Sequence, residues 1–337
     1  MLAREYMPAV RYGAKWLPSD VLGSGFAGWP QGNIYYVVKT TDAWYNDFVG
    51  NYGFYYPDGT YSVKTTIQAG VDATTANRGD IVFVGPGKWT EEVKVISKPG
   101  IRIIGTGYGT GMQEPGGSRI RVSDAATHYP FTTKLGTACQ GAGFHILSRN
   151  VEITGFYIDG SGGYCGIYLG GGMNGGITGY TTETTSGSWI HGNYIRGGGD
   201  GYVGLYMNGS KFGVLVEDNV FERWAYAGIE MDAGNASCES DIIRRNTFLA
   251  ANAAYGIRIY GEGNSCLHCN VHQNIFTDGA SLAFTQAISN SSGSTGVLSC
   301  TGNWFACANM LDLLVTDIHS GNFRGTKNTT EVYVDED

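Results

Sequence analysis

His191-Gly192-Asn193-Tyr194-Ile195 is answered four times further along the chain. The later copies are Glu217-Asp218-Asn219-Val220-Phe221, Arg244-Arg245-Asn246-Thr247-Phe248, His272-Gln273-Asn274-Ile275-Phe276 and Thr301-Gly302-Asn303-Trp304-Phe305. Their asparagines stand 26, 27, 28 and 29 residues apart. A second phrase interleaves: Tyr164-Cys165-Gly166-Ile167-Tyr168, Tyr202-Val203-Gly204-Leu205-Tyr206, Tyr226-Ala227-Gly228-Ile229-Glu230 and the shortened Tyr255-Gly256-Ile257-Arg258. A period of roughly 20–50 residues marks a repeat architecture. Each repeat holds two short β-type runs and no amphipathic helical pattern, so each reads as one coil of an all-β, single-stranded parallel β-helix.

The physics follows from the period. One coil cannot bury its own apolar side, but coils stacked at about 4.8 Å turn equivalent residues into ladders around a shared core. Asn193, Asn219, Asn246, Asn274 and Asn303 are expected to stack at one bend, each amide bonding the next. Phe221, Phe248, Phe276 and Phe305 are expected to stack two residues later, facing inward.

Composition agrees. Glycine supplies 53 of 337 residues, charged residues only 15% and hydrophobic ones 42%. That suits many tight turns and a thin continuous core, not disorder. A net charge of −8 and no basic cluster argue against nucleic acid as a partner. No apolar run is long enough to span a bilayer, and the first residues have no signal-peptide core. The seven cysteines, an odd number spread at coil-like intervals, read as buried free thiols. Cys266-Leu267-His268-Cys269 offers half of a zinc-ligand spacing that His272 and Cys300 would have to complete. No second such pair exists, so no metal and no cofactor is expected. His145, His191, His268 and His272 read as turn or surface residues.

Three segments follow. Residues 1–33 form an extended arm whose aromatics (Tyr6, Tyr12, Trp16, Phe26, Trp29) suit docking on a partner or along the chain's own body. Residues 34–309 form the β-helix, with about eight or nine coils and lateral insertions near 106–143 and 170–188. Residues 310–337 form a C-terminal cap and acidic tail. Gly32 to Val38 reads as a first strand and the residues on to about Tyr61 as an aromatic loop. Thr65 with Gln68 fits a capping box, with Ile67 and Val71 on one helical face. A short helix there would plug the first coil.

Thr66-Ile67-Gln68, Gly79-Asp80-Ile81, Pro86-Gly87, Glu91 to Val93 and Pro99-Gly100-Ile101 resemble the opening of right-handed parallel β-helix proteins of the pectin-lyase-like superfamily. They are also similar to the β-helix proteins of phage particles, tailspikes and capsid decorations among them. The resemblance covers about residues 33–160, and the coil repeats extend it to about 305. It implies the right-handed winding. Gly87-Lys88-Trp89-Thr90-Glu91 resembles the first motif of pectin methylesterases with Trp in place of Tyr, but their later motifs are absent. So are the polygalacturonase signatures, and no residue is assigned as catalytic.

Aligned by glycine, the second phrase sends Tyr168, Tyr206, Asn208, Glu230, Asp232, Arg258 and Tyr260 to one exterior face. Glu230 then lies between Tyr206 and Arg258. Such a stripe suits a subunit contact, a glycan-binding surface or, through its carboxylates, acid–base work on a glycosidic bond. The leading expectation, carried by the resemblance, is a non-catalytic structural protein of a phage-like virion. It would be a capsid-surface decoration or short spike, homotrimeric, in contact with other virion proteins and host-surface glycans. The alternatives are an extracellular polysaccharide lyase or glycoside hydrolase, and a glycan-binding module.

Overall fold

The computed structural model describes residues 11–12, 15–16, 32–43, 45–107, 117–133, 138–170, 185–197, 200–208, 211–232, 238–249, 255–260, 266–278, 283–291, 298–307, 310–312, 318–325 and 331–333. The chain winds as a parallel β-helix. Among the described residues its walls are sheets of eight, ten and eleven strands, with each coil adding one strand to each wall in turn. One coil runs Cys165–Leu169, Trp189–His191 and Tyr194–Arg196, and the next runs Val203–Asn208, Leu215–Glu217 and Val220–Glu222. Among the described residues the wall pairings are parallel except the last, Phe323–Gly325 with Glu331–Tyr333.

The interior is a set of ladders. Val82, Ile103, Ile153, Ile190, Val216, Ile243, Val271 and Cys300 stack in register along the eleven-stranded wall, all essentially inaccessible. In the ten-stranded wall the expected phenylalanine stack forms. Phe221, Phe248, Phe276 and Phe305 lie with centroids 5.0, 4.7 and 5.1 Å apart and nearly parallel rings. This stack accounts for the glycine of the second phrase. A Cβ on Gly204, Gly228 or Gly256 would come within 2.7, 2.7 and 2.6 Å of the Phe221, Phe248 and Phe276 rings.

The asparagine ladder also forms. The Nδ2 atoms of Asn193, Asn219, Asn246 and Asn274 donate to the next Oδ1 at 3.0–3.1 Å, and each Oδ1 also accepts the preceding backbone N–H. The ladder has a sixth member, Asn322, which accepts from Asn303 Nδ2 at 3.1 Å. Its phrase, His319-Ser320-Gly321-Asn322-Phe323, follows Asn303 by only 19 residues, and that short step hid it. Leu311–Asp312, Ile318–Ser320 and Phe323–Gly325 thus continue the walls past residue 309.

Three sequence expectations need correction. The segment read as an aromatic loop holds helix α1 (Tyr45–Tyr52), whose Phe48 and Tyr52 rings pack 5.5 Å from Tyr36. The plug helix α2 (Ile67–Ala73) is capped by Thr66, one residue later than expected: its side chain accepts from Ala69 N. Gln68 does not close a box. It bonds both the N–H and the C=O of Lys94, on the open edge strand Val93–Ile96. A bare edge would invite pairing with another chain, and this amide seals it. Glu91, in the stretch resembling the methylesterase motif, accepts from Ile67 N and Gln68 N at the helix start, a structural role. Finally, the insertion read at 106–143 is not one lateral loop, because Ser118–Arg121 is a strand of the ten-stranded wall.

Of the arm aromatics, Tyr12 and Trp16 lie in an antiparallel pair, Arg11–Tyr12 with Lys15–Trp16. Tyr6, Phe26 and Trp29 fall outside the described residues, as does most of the insertion expected at 170–188. Among the described residues no helix is long and apolar enough to cross a membrane.

Candidate functional site

Register places the predicted stripe as expected. Tyr168, Tyr206, Glu230 and Arg258 form one row across the outer face of the eight-stranded wall; Asn208, Asp232 and Tyr260 form the next. The expectation of exposure is wrong. Glu230 and Asp232 are each 1% exposed, Tyr206 is 0% and Tyr168 2%. Asn208 is buried too, and only Arg258 and Tyr260 are half-open.

The cover is a piece of the same chain. After Asp124 the backbone leaves the coil, forms the short hairpin Phe131–Thr132 with Ala138–Cys139, and re-enters at Ala142–Leu147. This excursion lies over the row. Phe131 packs 4.6 Å from Tyr168 and stacks at 5.7 Å on Tyr206, forming a second apolar cluster outside the barrel with Cys139, Leu147, Cys165 and Val203. Beneath it Tyr206 Oη donates to Asp232 at 2.8 Å and Asn208 Nδ2 donates to Tyr168 Oη at 3.1 Å. Burial pushes the Glu230 carboxyl up to about 7; Arg258 opposes the shift and Asp232 adds to it.

The root of the excursion is fixed by a polar cluster with little trace in the sequence. Glu92, its side chain fully buried, meets His128 Nδ1 at 2.6 Å and His145 Nε2 at 3.0 Å, and accepts Tyr129 N–H at 3.0 Å. Tyr164 Oη lies 3.1 Å from His128 Nε2. A carboxylate, an imidazole and a phenol thus stand in a hydrogen-bonded relay, Glu92–His128–Tyr164, with the His128 ring one-third exposed and Tyr164 buried. Burial, then the Glu92 charge, raises the Tyr164 pKa, so the phenol holds its proton. His145, read as a turn or surface residue, is buried in a wall strand as part of this cluster.

Tyr164 also begins a row along the rim of the covered face. Backbone bonds link Tyr202 N to Tyr164 O, Tyr226 N to Tyr202 O and Tyr255 N to Tyr226 O at 2.7–3.0 Å, so these tyrosines step one coil at a time. Tyr226 is 43% exposed, and Tyr202 and Tyr255 are half-buried. The Tyr202 and Tyr226 rings meet edge-on at 5.3 Å, and the Arg258 guanidinium sits 4.5 Å over Tyr255. These residues open the second phrase in the sequence. Their recurrence was visible there; their exposure was not.

Among the described residues no group of three His, Cys, Asp or Glu side chains is placed to hold a metal. The zinc set that Cys266 and Cys269 would have needed is split by the wall. Cys300 stacks on Val271 in the core, while His272 pairs with Thr301 one position on and so faces outward.

No family model matches the chain, and no curated protein matches it. Solved structures do resemble it in fold. One is the catalytic unit of a thermostable GH87 α-1,3-glucanase from Streptomyces thermodiastaticus, with 18% identity and TM-score 0.47 over 72% of this chain and 44% of that one. The chain therefore spans less than half the length of the glucanase unit. A pectin methylesterase from Erwinia chrysanthemi is similar at 8% identity and TM-score 0.44, over 89% of this chain and 91% of that one. An alginate lyase from a Paenibacillus species is similar at 11% identity and TM-score 0.41, over 75% of this chain and 96% of that one. At such identities the likeness concerns the winding of the chain and nothing of its chemistry.

Proposed function

We propose that this protein engages a polysaccharide along the rim of its eight-stranded wall. The observation that carries the reading is the row Tyr202, Tyr226 and Tyr255, repeated at coil spacing beside the half-open Arg258 and Tyr260. Tyrosine presents an apolar face to the C–H face of a sugar ring and a hydroxyl to its rim. A spacing of about 4.8 Å per coil is close to the advance of one sugar along an extended chain. The reading does not depend on where the protein sits: a trimer on a virion surface and an extracellular protein would use the same row.

The test is a titration of the purified chain against a panel of neutral and acidic polysaccharides by calorimetry. Tyr226→Ala is expected to weaken the bound member at least tenfold with an unchanged melting temperature. Failure of the wild-type chain to bind any polysaccharide, or an unaltered affinity in Tyr226→Ala, would overturn the reading.

A second reading, cleavage of the bound chain, is favoured by the Tyr164–His128–Glu92 relay at the end of the row. Its check is release of new chain ends by the wild-type protein and their loss in His128→Gln, with binding retained.

A further inference from the structure

Tyr129, Phe131 and Thr133 run along the outer face of the eight-stranded wall as a guest would. Lys94, His145, Tyr168, Tyr206, Glu230 and Arg258 make a single register row across that face. The Tyr129 ring stands 4.2 Å from Lys94 Nζ and edge-on to His145 at 5.7 Å. Phe131 covers Tyr168 and Tyr206, and Thr133 reaches Glu230. The cover is good where the row is aromatic and fails where it becomes charged. Neither buried Glu230 oxygen closes a hydrogen bond of good geometry, Thr133 being the side chain that approaches them, and the buried Arg258 Nε likewise lacks a hydrogen-bond acceptor while its guanidinium lies over the Tyr255 ring. Glu230 and Arg258 are register partners on adjacent coils, yet Arg258 Nε does not bond either carboxylate oxygen.

Buried polar atoms are nearly always paired, and one left without a partner carries its desolvation cost uncompensated. Asp232 and Tyr206, one step away, satisfy each other. The unmatched pair is thus an acceptor and a donor side by side on adjacent coils. Two neighbouring hydroxyls complete such a pair: one donates to the carboxylate and the other accepts from the guanidinium N–H.

We propose that Glu230 and Arg258 form a latent sugar subsite for a vicinal diol of a neutral polysaccharide, and that residues 129–133 are a plug the sugar chain displaces from the row. The proposal rests on the polysaccharide reading above and names its ligand class. Two carboxylates, Glu230 and Asp232, against one arginine disfavour an acidic polymer here.

The experiment measures affinity for the neutral members of the polysaccharide panel, each intact and after periodate cleavage of its vicinal diols, on the wild-type chain and four variants. Glu230→Gln and Arg258→Lys are expected to weaken the intact ligand at least tenfold, and periodate treatment of the ligand to do the same to the wild type. Glu230→Gln keeps the shape and removes a buried charge, so it is expected to fold; Arg258→Lys tests the planar fork independently. Phe131→Ala is expected to tighten binding several-fold, since it loosens the plug, an effect that a purely structural role for the hairpin would not give. If Tyr226→Ala abolishes binding while Glu230→Gln and Arg258→Lys leave it intact, the rim reading stands and the subsite is refuted. Equal affinity for the oxidised polymer, or unchanged or weaker binding in Phe131→Ala, also refutes it. Absence of any polysaccharide binding refutes both.

Discussion

Asn246 shows how a single side chain holds two coils. Its Oδ1 accepts both the backbone N–H and the side-chain amide of Asn219, while its own Nδ2 donates to Val216 O at 2.9 Å and Asn274 Oδ1 at 3.1 Å. The residue before each ladder asparagine is left-handed: Gly192, Asp218, Arg245, Gln273, Gly302 and Gly321 have φ between 54° and 63°. Where that residue is not glycine the conformation costs roughly 1 kcal/mol, and the buried amide bonds that follow the bend offset it. Asn246→Ala would orphan the buried Asn219 N–H and the Val216 carbonyl together. The expected loss is about 3 kcal/mol, read by urea denaturation. A loss under about 0.5 kcal/mol, the scale of an ordinary surface substitution, would show that the ladder is decoration.

Among the elements, the strand pair Ala227–Asp232 and Tyr255–Tyr260 is decided by shape complementarity between two ladders. A Cβ on Gly228 would lie 2.7 Å from Phe248 Cδ1 and 2.8 Å from the Gly256 carbonyl oxygen. The ring is held between Phe221 and Phe276, so it has little room to yield. Gly228→Ala is therefore expected to destabilise by about 2–3 kcal/mol. Pairing it with Phe248→Leu should recover part of the loss, since the smaller side chain vacates the clashing position. No recovery in the double variant would place the clash with the carbonyl instead. The hairpin excursion is a different kind of element: its hold on the wall depends on Phe131, on the Glu92 cluster and on little regular pairing.

Over the whole molecule, the covered row links stability to pH. Burial raises the Glu230 carboxyl from 4.5 to about 7 in the folded chain. Between those values folding takes up a proton, so this group favours the fold most below about pH 4.5, and that advantage is lost as pH rises through about 7. Glu230→Gln should match the wild type near pH 4. At pH 8 it should be the more stable protein, by up to about 3 kcal/mol. A paired melting series across pH checks this, and a difference independent of pH, or larger in acid, would contradict it. The Asp159 carboxyl behaves oppositely. The Arg119 and Ser161 bonds outweigh its burial and hold it low, so its stabilising share is lost only in acid.

The winding of the chain was legible in the residues because a coil repeats its chemistry: equivalent positions touch, and Asn, Phe and Gly recur wherever the bend, the core and the space opposite the ring demand them. The face on which Tyr168, Tyr206, Glu230 and Arg258 lie was legible for the same reason, since side chains alternate along a strand. What lies on top of that face was not. The cover is a non-repeating segment whose anchor, Glu92 to His128, joins residues 36 apart with no periodic signal. Alternation tells inside from outside; it is silent on whether the outside meets water. Only the tertiary fold, by laying Phe131 and Thr133 over the row, turned an apparent surface stripe into a buried one and left Tyr226 exposed between the half-buried Tyr202 and Tyr255.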